Sequence, residues 1–231
     1  MNAHVTLAVA ALLWFGIHRG VAGSALRPWL VAKLGEKAYR GAFALLSIAC
    51  LSFLIYAYRH APCEPLWTTP RPLFWLPVVV VPIAFVFVVG AFTVPNPTAV
   101  GSEKALGGEL PARGMLRVTR HPFLWGVMLW SGSHLIVNGN VPALFLFGSL
   151  LLTAAVGSAD IDRRRAGAGG AEWQRFAAVT SNIPFAAIFS GRNHIVVREL
   201  LLPLVLGLIV AGVVLHFHTS LFGLSALRAL R

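Results

Sequence analysis

Six apolar runs, near residues 3–23, 42–58, 74–92, 123–137, 141–158 and 199–217, constrain this chain more than any other feature. A helix needs roughly 17–25 predominantly apolar residues to cross a bilayer, and most of the runs are close to that length, with 123–137 the shortest. Inside lipid only helices and closed barrels satisfy every backbone polar group, and barrel strands alternate polar with apolar residues. These runs are continuous, so the expected fold is all-α: a polytopic transmembrane bundle of about six helices. Composition agrees, because 57% of residues are hydrophobic and 12% charged, where soluble domains carry roughly 25% charged residues. The first run is read as a span and not a cleaved leader, since it lacks a basic segment and cleavage near Ala22-Gly23-Ser24 would discard His18.

Charge sets the expected orientation. Most of the 19 Lys and Arg residues fall in the connections after the first, third and fifth runs. These hold Arg19, Arg27, Lys33, Lys37 and Arg40, then Lys104, Arg113, Arg117 and Arg120, then Arg163, Arg164, Arg165, Arg175, Arg192 and Arg198. Only Arg59, Arg71, Arg228 and Arg231 stay on the other side. The positive-inside rule then places both termini outside the cytoplasm, in what we expect to be a bacterial inner membrane. Topology and anionic headgroups account for the net charge of +11, so nucleic acid is not an expected partner. Protein partners are unknown: the basic face of Arg163-Arg164-Arg165 could dock one in the cytoplasm, but a solvated positive-inside run is the preferred reading.

The two cysteines, Cys50 in an apolar run and Cys63 in an outer loop, do not form a disulfide framework, and no C-x-x-C-H motif attaches a c-type haem. Residues 1–231 read as one transmembrane domain without internal repeats. Pro95-Asn96-Pro97 ends the third helix and opens a Gly-rich loop through Gly114. Asn138-Gly139-Asn140 before Pro142 is a tight turn that makes spans four and five a hairpin. Gly167 to Gly170 reads as a flexible linker, because no lysine follows at the spacing of a phosphate loop.

An ionisable side chain within a span is costly, so each intramembrane histidine needs a partner or a ligand. His4, His216 and His218 lie toward predicted outer ends, His60 in an outer loop and His194 in a cytoplasmic loop, where solvation explains them. His18 and His134 differ. His18 lies in Trp14-Phe15-Gly16-Ile17-His18-Arg19-Gly20, where Gly16, Gly20 and Gly23 leave room for another backbone or a flat cofactor. His134 lies in Trp130-Ser131-Gly132-Ser133-His134, again among small residues with an aromatic one turn away. Two imidazoles on two helices suit the axial ligation of a haem iron. Each also suits an interhelical hydrogen bond to a serine or a carbonyl. Depth opposes the pair: His18 is near the cytoplasmic end of its span and His134 near the outer end, a difference of roughly 10–15 Å. Extending the first helix toward Ala25 relieves part of it. His121, in Thr119-Arg120-His121-Pro122, is a third candidate, although Pro122 reads as ordinary helix capping and Arg120 suits the headgroup region.

At these residues the chain resembles the NnrU family of membrane proteins, whose relatives include 15-cis-zeta-carotene isomerase. The resemblance rests on His18-Arg19-Gly20, Leu34-Gly35-Glu36-Lys37-Ala38-Tyr39-Arg40, Arg117-Val118-Thr119-Arg120-His121-Pro122 and Trp130-Ser131-Gly132-Ser133-His134. It continues through Asn138-Gly139-Asn140, Asp162-Arg163-Arg164 and Ile183-Pro184-Phe185-Ala186-Ala187-Ile188-Phe189. It implies that His18 and His134 occupy the positions of haem b ligands. It further implies a haem whose reduced iron assists cis–trans isomerisation of a carotenoid. Ser131 stands where that isomerase has a cysteine proposed as an alternative ligand, and only the shifted His60 answers to its further histidine. Another branch of the family is linked to nitric oxide metabolism and denitrification.

Two competing functions remain. Arg120-His121-Pro122-Phe123-Leu124-Trp125-Gly126 with Glu172-Trp173-Gln174-Arg175-Phe176 is similar to membrane methyltransferases that use S-adenosylmethionine, though the paired acids appear only as the differently spaced Asp160 and Asp162. A non-catalytic haem or nitric oxide sensor, or an assembly factor for respiratory enzymes, is the other. The isomerase reading requires a hydrophobic small-molecule substrate in the bilayer; no individual catalytic residue is assigned.

Overall fold

The computed structural model describes residues 2–99, 112–168, 170–224 and 226–227. All of its regular structure there is helical. The helices are α1 (Ala3–Gly16, continued by a π-helical turn Ile17–Ala22), α2 (Leu26–Leu34), α3 (Glu36–His60), α4 (Trp75–Gly90), α5 (Met115–Val118) and α6 (Pro122–Asn138). They continue with α7 (Val141–Ala168), α8 (Gly170–Val179), α9 (Ala186–Phe189) and α10 (Val197–Phe222). Among the described residues five segments are long and apolar enough to cross a membrane: Ala3–Ala22, Glu36–His60, Arg71–Gly90, Val141–Ala168 and Val197–Phe222. The expected 123–137 span is α6, whose 17 residues are at the lower limit for crossing. The protein is thus an all-α integral membrane protein. Its surface agrees, with Leu12, Leu45, Val79 and Leu202 turned outward where lipid takes the place of a protein neighbour.

The chain forms two compact units, one of residues 1–73 and 131–157, the other of residues 74–130 and 158–231. α6 and α7 each contribute residues to both.

In the first unit α1 packs along α3. The pairing is antiparallel: His4 Nε2 lies 3.3 Å from the Pro62 carbonyl just beyond the end of α3, while His18 at the other end of the same segment meets Phe43 with ring centroids 5.4 Å apart. Leu7, Ala10 and Ala11 of α1 and Cys50, Leu54 and Ala57 of α3 fill the seam. The expected turn at Asn138–Asn140 is present. The backbone N–H groups of Leu66 and Trp67 both donate to the Gly139 carbonyl, at 2.7 and 3.1 Å, and the Trp67 indole donates to the Ile136 carbonyl at 3.0 Å. Gly139 has φ +56°, and a Cβ there would lie 2.6 Å from the Trp67 carbonyl oxygen, so only glycine fits.

In the second unit α10 lies against α4, with Gly207 so close that a Cβ would meet the Val86 Cα at 2.6 Å. A smaller core of Ala112, Leu116, Trp173 and Phe176 anchors α8. Two expectations change here. α7 runs on to Ala168, which puts Asp160, Asp162 and Arg163 to Arg165 on a helix and not in a loop. Gly167 is helical as well and Gly170, with φ +52°, opens α8, while residue 169 of the expected linker lies outside the described residues. The segment around Lys104, and Arg228 and Arg231, lie outside the described residues.

Candidate functional site

His18 sits in the π-helical turn Ile17–Ala22, closed by the Gly23 N–H donating to the His18 carbonyl at 2.9 Å. Such turns are rare inserts in α-helices and recur at functional sites. The ring Nδ1 lies 2.8 Å from the Trp14 carbonyl. A carbonyl only accepts, so Nδ1 carries the proton and Nε2 presents its lone pair. The imidazole is half-buried, with the Trp14 ring centroid at 4.1 Å and Phe43 edge-on. This is the posture of a metal-ligating histidine, whose other nitrogen is held by a carbonyl that fixes tautomer and ring orientation.

His134 belongs to the same unit, on α6, with its ring 5.1 Å from Phe147 of α7. Phe147 in turn meets Tyr58 of α3 at 6.2 Å. Phe43 and Tyr58 are separated by about 22 Å along α3 at 1.5 Å per residue. The two histidines therefore stand at different levels of the unit, as their sequence positions implied. The first helix does not reach Ala25: it ends at Ala22, and a turn follows. Ser131 and Ser133 beside His134 are buried.

Gly16 and Gly20 do not serve as a close packing surface. Nothing lies within 4 Å of the position a Cβ would take at either, and each is two residues from His18, about 200° around the helix in α geometry and so away from the imidazole. The remaining histidines make local contacts. His4 lies near Glu64 at 3.7 Å, His60 Nδ1 donates to the Tyr56 carbonyl at 2.8 Å and His218 Nδ1 to the Leu224 carbonyl at 2.6 Å.

His121 and Arg120 lie in the second unit and form a cluster of their own. The fully buried His121 ring donates from Nε2 to Asp162 Oδ1 at 2.8 Å. Arg120 reaches the other carboxylate oxygen at 3.4 Å and the Thr180 carbonyl at 3.0 Å, with its guanidinium over the Trp173 ring at 5.6 Å. Burial pushes the Arg120 guanidinium below its ordinary value, and Asp162 acts against that shift. Thr119 donates to the Asn182 carbonyl, as does the Trp125 indole at 2.8 Å, and Asn182 donates to Ser158 Oγ at 3.1 Å. Nearby, Arg117 Nε donates to Glu199 Oε2 at 2.8 Å and its NH1 to Asn193 Oδ1 at 2.9 Å. Asp162 and Glu199 as partners of this loop were not foreseen from the sequence. For Asp162 the available signal was the pair Asp160 and Asp162 just after the fifth apolar run.

A haem is compatible with this donor set. The porphyrin supplies four of the iron's ligands, so the protein needs one or two imidazoles and not a metal cage; among the described residues no group of three or more His, Cys, Asp or Glu could form such a cage. His18 meets the requirement with its free Nε2, its fixed tautomer and its aromatic surroundings. His134 meets the same requirement of type and setting, at another level. Neither Cys50 nor Cys63 pairs with the other.

Comparison with known proteins places the chain. The model of the NnrU protein family matches residues 6–226. Two curated relatives are both named "15-cis-zeta-carotene isomerase, chloroplastic". That of Arabidopsis thaliana is 30% identical over 200 residues, covering 83% of this chain and 52% of the relative. That of Zea mays is 28% identical over 199 residues, with the same coverage. The chain thus spans about half the length of the relatives it matches. No solved structure matches it, and the comparisons give the methyltransferase reading no support. With a family model covering nearly the whole sequence, this chain belongs to the NnrU family.

Proposed function

We propose that this chain is a haem b-binding membrane protein that isomerises a cis double bond of a carotenoid or related polyene within the bilayer. The observation that carries the reading is His18, held with Nδ1 on the Trp14 carbonyl and Nε2 free, in a chain similar over 83% of its length to two proteins named as carotene isomerases. When bound, haem supplies an iron centre able to interact with the electrons of a polyene. The protein's own residues do the rest. His18 would hold the group through Nε2, and the Trp14 carbonyl keeps the imidazole proton on Nδ1. The Trp14 and Phe43 rings keep water from the imidazole. His134, on α6 beside Phe147, would be a second residue to hold the group, from another level of the same unit. In this reading both termini face outward from a bacterial inner membrane, which the positive-inside rule supports through the basic loops.

The experiment is an absorption spectrum of the detergent-purified protein, oxidised and dithionite-reduced, for wild type, His18→Ala and His134→Ala. Wild type shows a Soret band. His18→Ala loses it, and His134→Ala keeps it with the visible bands of a five-coordinate iron. Wild type then converts a 15-cis carotenoid in liposomes to the trans product, read by chromatography, and His18→Ala does not. A wild type without haem after reconstitution, or a His18→Ala protein with an unchanged spectrum, overturns the reading.

A further inference from the structure

The contact of His4 with Pro62, just beyond the end of α3, shows that α1 and α3 are antiparallel, and the ring contact of His18 with Phe43 sets their register near His18. One turn from His18 toward the start of α1 is Trp14. One turn from Phe43 toward the end of α3 is Ser47. The two steps run in the same direction, so Trp14 and Ser47 stand level with each other. The same register pairs Ala11 with Cys50 and Leu7 with Leu54, all buried. The seam is therefore apolar at two levels and polar at one, directly beside His18.

At that level Trp14 Nε1 and Ser47 Oγ are both buried, and neither has a hydrogen-bond partner in the protein. His18 takes the Trp14 carbonyl but not its indole N–H. A buried N–H without an acceptor is costly and rare in native proteins, and it marks a place where something outside the chain supplies the acceptor. An indole N–H only donates, and a hydroxyl can donate or accept, so the matching group is an oxygen acceptor small enough to reach both.

We propose that Trp14 and Ser47 form a binding point for an oxygen acceptor between α1 and α3, filled by a bound water or by a carboxylate of the porphyrin. The porphyrin source rests on the haem reading given above, and the water source does not. A polyene hydrocarbon offers no such acceptor, so this point orients the cofactor side of the site and not the substrate. Held there, the acceptor ties Trp14, and through its carbonyl His18, to α3.

The test is the indole N–H resonance of Trp14 in protein labelled with 15N-tryptophan in detergent, assigned by its loss in Trp14→Phe, with Trp14→Tyr as a second assignment variant. Spectra are taken of the apoprotein, with zinc protoporphyrin, and with zinc protoporphyrin dimethyl ester, which lacks free carboxylates. A downfield N–H with an exchange cross-peak to water in the apoprotein supports bound water. An upfield N–H that moves downfield with the free acid but not with the ester supports the carboxylate. The proposal is overturned by an N–H that stays upfield in all three samples. It is also overturned by one that is downfield without a water cross-peak in the apoprotein and moves upfield in Ser47→Ala, which is a direct bond across the seam. If neither porphyrin binds, the haem reading fails, and the apoprotein spectrum still decides the water site.

Discussion

His121 Nε2 lies 2.8 Å from Asp162 Oδ1 across 41 residues of sequence, and the imidazole is fully buried. The carboxylate also holds Arg120, so one side chain satisfies two cationic or donor groups from the loop that opens α6. Removing it strands the buried imidazole, while Arg120 keeps the Thr180 carbonyl and the Trp173 ring. Asp162→Ala is expected to destabilise the protein by about 2–3 kcal/mol, the size of a charged hydrogen bond lost with a buried donor left unpaired. Asp162→Asn, which keeps one acceptor oxygen, costs less. Thermal unfolding of the two variants in detergent checks the order. Equal unfolding temperatures for Asp162→Ala and wild type show that the cluster contributes nothing to stability.

Glycines at two places lead to opposite expectations. Gly139 has a left-handed backbone and a Trp67 carbonyl 2.6 Å from where a Cβ would go, and its own carbonyl accepts from Leu66 and Trp67. Gly139→Ala therefore costs at least the ~1–2 kcal/mol of a left-handed residue with a side chain, plus the displacement of the 61–70 loop. At Gly20 nothing lies within 4 Å of the same position. Gly20→Ala leaves the unfolding temperature unchanged or raises it, and leaves haem content unchanged because Gly20 faces away from His18. A Gly20→Ala protein that folds but takes up no haem shows instead that the cofactor passes over this face.

Arg117 uses its planar fork in two directions, toward Glu199 and toward Asn193. The same carboxylate accepts from the Gly114 backbone N–H at 2.7 Å. Lysine supplies one point charge and cannot span both partners. Arg117→Lys is expected to lose most of what Arg117→Ala loses, about 1.5–3 kcal/mol for a charge-assisted bond with little solvent exposure. Urea or thermal unfolding of the two variants side by side makes the comparison. A lysine variant as stable as wild type contradicts the bidentate role.

The spans were legible because lipid forces each apolar run into one helix and leaves few other choices. Boundaries were less so. α7 outlasts its apolar run by ten residues, since Asp160 to Ala168 carry good helix formers and charge that hydropathy reads as a loop. That extension brings Asp162 to His121, so the second cluster was hidden although His121 itself stood out. His18 was legible as an ionisable group inside a span. Its π-turn and its bond to the Trp14 carbonyl were not, because a π insertion has no composition or period that marks it. Gly16 and Gly20 show the opposite limit: small residues at helical spacing permit close packing but do not require it, and here no other part of the protein approaches them.

Orientation can be read chemically at the two cysteines. Cys63 is exposed in the loop between α3 and α4, and Cys50 is buried in the α1–α3 seam. If the basic connections face the cytoplasm, the 61–70 loop faces outward together with the start of α1, to which His4 ties it. A membrane-impermeant maleimide added to intact cells from which any outer membrane has been removed is then expected to label the wild type. It should leave Cys63→Ser unlabelled, and Cys50→Ser should label like the wild type. Labelling only after the cells are opened places the loop in the cytoplasm. That result reverses the orientation, and the Arg163 to Arg165 face would then owe its charge to something other than the positive-inside rule.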